Sequence, residues 1–164
     1  MTRHLRLTAL LLASLAVAPV LSSSAWAQSP AASSSRRQTS AKEQHRVVIQ
    51  VSENDPKIMN LALNNAENLT RFYGQAGETV KVEIVAYGPG LNMVRSDTSP
   101  VRDRLAALGG KAQAVTFSGC SNTLSTQSKQ EGKEITLLPE ARLVPAGIAR
   151  IVQLQEQGWT YIRP

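Results

Sequence analysis

Cysteine and histidine are nearly missing from this chain. Its 164 residues include one Cys, Cys120, and two His, His4 and His45. A single Cys excludes an internal disulfide framework and any metal site built on several thiolates. His4 falls in a segment read below as removed. The one remaining His cannot build a His-rich zinc site or a two-His iron triad. No metal and no cofactor is expected. A Ser-His-Asp or Cys-His catalytic set would have to recruit His45, which sits at the boundary of the folded region. Aromatic residues are 4% of the chain, too few for a base-stacking surface.

Acidic residues are also scarce, with 12 Asp+Glu against 18 Lys+Arg for a net charge of +6. The excess is unevenly spread. From Arg46 onward there are 13 basic and 11 acidic residues, a net of +2. The basic balance therefore belongs mostly to the N-terminal part. A nucleic-acid partner, which wants a dense basic face, is not expected.

The first 27 residues read as a signal peptide. Arg3 and Arg6 come before any acid, Leu7 to Leu21 is a nearly unbroken apolar run of 15 residues, and Ala25-Trp26-Ala27 is a small-x-small cleavage site. The run is short for a membrane span, which needs about 20 residues. No Cys follows it for lipid attachment, and the two Arg are not adjacent as a twin-arginine signal requires. Cleavage near Ala27-Gln28 implies export to the bacterial periplasm, with no membrane attachment afterwards. Residues 28–45, rich in Ser, Ala and Gln, read as a disordered linker. The folded domain is expected over 46–164, long enough to bury a core of its own.

From Arg46 the hydrophobic period alternates. Arg46–Val51 is a β-branched run, and Asp55 with Pro56 opens a helix whose apolar stripe includes Ile58, Leu61, Ala62, Asn65, Leu69 and Phe72, with Gly74 expected to end it. Val80–Tyr87 is a second strand, stopped by Gly88-Pro89-Gly90. A loop or short helix over 91–97 leads to a helix near Pro100–Leu108, closed by Gly109-Gly110. Ala112–Phe117 is a third strand, Ser121–Glu131 a helix, Glu140–Val144 a fourth strand, Pro145–Gln157 a helix and Trp159–Ile162 the last strand. This β-α alternation predicts a single-domain α/β three-layer sandwich, with a mostly parallel sheet of about five strands and helices on both faces.

In open α/β sheets, ligands bind at the carboxyl ends of the strands. Four junctions fall there: Ser52–Asp55, Gly88–Gly90, Ser118–Cys120 and Pro145–Gly147. The lone Cys lies in one of them, ahead of a helix whose dipole and N–H groups favour thiolate. Gly119 is expected to keep the approach open, and Asn122 and Thr123 to offer polar contacts. Gly90, at another of the junctions, and Asn65, a polar residue in an apolar stripe, complete the candidate binding residues. The alternative is that Cys120 is a small buried hydrophobe.

The segments Leu61–Leu69, Val85–Leu91, Phe117–Leu124, Val144–Gly147 and Gln153–Pro164 resemble the DsrE/DsrF-like sulfur-relay superfamily, in its small stand-alone branch. The resemblance implies a five-stranded α/β fold, assembly as a homo-oligomer (trimer or hexamer), and sulfur carried as a persulfide on a Cys at the position of Cys120. Asn122 and Thr123 match the residues that follow it. The best-known relay members are cytoplasmic, whereas this chain carries an export signal. Three functions follow: a persulfide carrier with donor or acceptor proteins, a non-catalytic ligand-binding or assembly module with a structural Cys120, and a redox sensor. A carrier predicts an exposed thiol of low pKa; a module predicts a buried one.

Overall fold

The computed structural model describes residues 44–109 and 114–164. The expected signal peptide, residues 28–43 of the expected linker and residues 110–113 lie outside the described residues. In chain order the elements are β1 (Gln44–Val51), α1 (Pro56–Gln75), β2 (Thr79–Ala86), a 3₁₀ helix (Gly88–Val94), α2 (Arg102–Gly109), β3 (Val115–Cys120), α3 (Ser121–Glu131), β4 (Ala141–Val144), α4 (Gly147–Glu156) and β5 (Thr160–Ile162).

All five strands run parallel in one sheet, in the order β4-β3-β2-β1-β5. The chain steps one way from β1 to β4 and then returns across the sheet to β5. Right-handed crossovers therefore put α1 and α2 on one face and α4 on the other. Apolar packing agrees. Val47, Ile49 and Val51 of β1 join Met59, Leu63 and Ala66 of α1 and Leu105 and Leu108 of α2 in the main core, while Val48 and Val85 meet Ile151 and Leu154 of α4 on the opposite face.

Several boundaries differ from the sequence reading for local reasons. β1 starts at Gln44, two residues earlier, because His45 stacks on Tyr73 (centroids 3.7 Å apart) and its Nε2 lies 2.8 Å from a Glu78 carboxylate oxygen. Gly74 does not end α1. The helix runs to Gln75, and Gly77 takes the positive φ (76°) that turns the chain. Asp55 caps α1 as expected, its carboxylate accepting from Lys57 N–H at 2.8 Å. β3 continues through Ser118, Gly119 and Cys120, since β2 and β4 pair with it up to its end. The expected start of that strand, Ala112-Gln113, lies outside the described residues.

Candidate functional site

Side chains alternate along β3. Phe117 faces the main core and Ser118 the α4 side. Cys120, two residues on, shares the α4 side at the strand's carboxyl end. Its backbone is extended, and it serves as the N-cap of α3. The thiol, on a residue only 5% exposed, accepts a hydrogen bond from Thr123 N–H at 3.5 Å. The Thr123 hydroxyl and the N–H groups of Gly147 and Asn122 also act on the charge of the sulfur. Gly147 is the first residue of α4, so the N-terminal ends of two helices meet at one sulfur.

Each donor is held in place. The Thr123 hydroxyl oxygen accepts from Gly88 N–H at 3.0 Å, which leaves its own proton for sulfur. Asn122 N–H donates to the Pro145 carbonyl at 3.3 Å, tying α3 to the loop ahead of α4. Gly147 has no room for a side chain, because a Cβ there would meet Tyr87 Cβ at 2.7 Å. Burial pushes the thiol's pKa up. The hydrogen bonds from the Thr123 hydroxyl and the three N–H groups outweigh it and hold the thiol below its ordinary value.

Beside the thiol, between the 3₁₀ helix and α3, lies an open cleft of about 820 Å³. Thr123, Asn122 and Gly88 are among its lining residues, and Cys120 is not. Farther out, Arg95 binds Asp97 and Glu131 with paired contacts of 2.5–2.9 Å and Gln127 at 3.1 Å. Lys133 joins the same two carboxylates. On the α4 side of the sheet, Glu83 is buried and accepts from Ser118, Arg142 and Arg150 at 2.7–2.8 Å. Burial pushes its carboxyl up, but these partners prevail and hold it below the usual value.

The sequence-predicted residues divide clearly. Cys120, Asn122 and Thr123 come together. Asn65 does not join them: it sits midway along α1, beside a separate shallow hollow with Asn68, Leu69, Phe72 and Ile162. Gly90 and Gly119 are packing positions. A Cβ on Gly90 would meet the Val51 carbonyl oxygen at 2.4 Å, and one on Gly119 would meet Leu137 Cδ1 at 2.7 Å. Gly119 points into the main core, away from the sulfur, so it does not open the approach. Sequence reasoning put Gly88 and Gly147 at the right sheet edge without assigning them to the thiol. It missed Asn54, Asn92, Thr126, Gln127 and Gln130 of the cleft, since nothing in the local pattern marks them.

Among the described residues no group of three His, Cys, Asp or Glu could hold a metal ion, and no helix is long and apolar enough to cross a membrane. No family model and no curated protein matches the chain. Among solved structures it is similar to MTH1491, a protein of unknown function from Methanobacterium thermoautotrophicum. The two are 36% identical with a TM-score of 0.62, over 73% of this chain and 99% of that one. With that identity over almost the full length of MTH1491, the chain belongs to the same family as that archaeal protein.

Proposed function

We propose that the protein is an exported sulfur handler in which Cys120 accepts sulfane sulfur, holds it as a persulfide and passes it on. The observation that carries this reading is a thiol at the carboxyl end of a parallel strand that accepts from Thr123 N–H at 3.5 Å where α3 and α4 begin, with its pKa held below the ordinary value. Such a setting favours thiolate, the nucleophilic form, and serves a persulfide anion equally well. In loading, the Cys120 thiolate bonds to the outer sulfur of a donor, the donor's S–S bond breaks, and the electron pair leaves on the donor fragment. Delivery is the same displacement, with an acceptor thiolate attacking the carried sulfur. The resemblance to sulfur-relay proteins adds assembly as a homo-oligomer, and the N-terminal segment, read as a signal peptide, adds a periplasmic location.

One observation favours a second reading. Cys120 is buried and caps α3, so it also suits a structural residue in a binding or assembly module. The intact mass of the mature protein after exposure to polysulfide, thiosulfate and an organic persulfide separates the two. The carrier reading predicts a reductant-reversible gain of one or more sulfur atoms, absent in Cys120→Ser. No adduct from any donor would overturn it and leave the structural role.

A further inference from the structure

The cleft that Thr123 and Asn122 help to line carries many polar side chains. It is lined mainly by amide and hydroxyl side chains, among them Asn54, Asn92, Thr126 and Gln130. Its only charged side chains, Arg95 and Glu131, are bound to each other, and Arg95 also holds Asp97. Among the described residues no free cation lines the cleft to neutralise an entering anion. Asn122 and Gln130 are exposed along the cleft, their side-chain amides bound to no other described residue and open to a ligand.

Size points the same way. At about 820 Å³ the cleft is in the range of sites for small organic molecules. An inorganic sulfur anion needs only a few times the roughly 30 Å³ that a water occupies. It would leave most of the cleft empty and its own charge unpaired.

Resting on the sulfur-handling reading, we propose that this cleft binds the carrier half of the sulfur donor, and that the carrier is an uncharged, amide-bearing organic thiol. The amide groups of the carrier pair with Asn122 and Gln130, and its terminal sulfur passes Thr123 to reach Cys120. The transfer balances without an oxidant. The Cys120 thiolate bonds to the outer sulfur of R–S–SH, the S–S bond of the donor breaks, its electron pair leaves on R–S⁻, and the proton travels with the transferred sulfur.

The test uses the mature chain and two donors, N-acetylcysteine amide persulfide and thiosulfate, with loading of Cys120 followed by intact mass. The Gln130→Leu variant touches none of the groups around the sulfur. It should slow loading from the organic persulfide about fivefold, the worth of one hydrogen bond, and leave loading from thiosulfate unchanged. Equal slowing with both donors, or none with either, overturns the proposal. A second measurement is independent of sulfur transfer. In Cys120→Ser, the unreactive S-methyl-N-acetylcysteine amide should shift the NMR signals of Asn122, Thr126, Gln127 and Gln130, and an absence of shifts at millimolar concentration overturns the cleft assignment. If neither donor loads Cys120 but these shifts are seen, the sulfur-handling reading fails and the ligand class stands.

Discussion

Helices α1 and α3 both connect neighbouring strands, yet they are held by different forces. α1 buries Met59, Ala62, Leu63 and Ala66 against the sheet. α3 buries no residue at all, and Leu124 alone is packed in part against the core. Polar groups hold α3 at its two ends. At its start are Cys120, Thr123 and the Asn122–Pro145 bond; at its end are Gln127 and Glu131, bound to Arg95. A helix fixed by hydrogen bonds keeps its donors aimed at the thiol, whereas a helix fixed by burial stabilises the whole fold.

The difference can be broken at either helix. Leu63→Ala removes a fully buried side chain from the main core and should lower global stability by about 2–5 kcal/mol in chemical denaturation. Arg95→Met should act locally. Its carboxylate partners, Asp97 and Glu131, are 34% and 36% exposed, so water takes over much of the lost pairing. Amide hydrogen exchange in α3 should rise about tenfold or more while protection in α1 hardly changes. Equal loss in both helices would erase the distinction.

Acid should sharpen it. The hydrogen bond from Arg95 to Glu131 holds that carboxyl down to about 2, from 4.5, and Asp97 is lowered by the same guanidinium. Folded-state pKa values below the unfolded ones mean that this tether is at full strength above about 4.5 and weakens as pH falls toward about 2. Exchange protection in α3 should decline over that window before protection in α1 does. Thr123→Val has the smallest effect, since it removes one hydroxyl, with its bond from Gly88 N–H, and leaves the backbone donors to the sulfur in place. The thiol pKa should move up without global destabilisation, and Thr123→Ser should restore it, read from the pH dependence of alkylation.

The sequence made the alternation of strands and helices legible because β1 and β2 are β-branched runs and Asp55-Pro56 marks the start of α1. β3 reads three residues short because Ser118-Gly119-Cys120 has little strand propensity; its neighbours, not its composition, extend it. The position of Cys120 is legible from topology alone, as the end of a parallel strand. The network around Glu83 and the one around Arg95 are not, since they join residues as far as 67 and 36 positions apart. Gly147 stayed hidden because its role depends on the ring of Tyr87, far away in the chain.

The most direct test of the central claim is the alkylation of Cys120 in the folded protein as a function of pH. A thiol activated where α3 and α4 meet should react without denaturant, with a midpoint below the ordinary value for cysteine. A thiol that stays silent until the protein unfolds, or that titrates at or above that value, would contradict the account and make Cys120 a buried cap of α3.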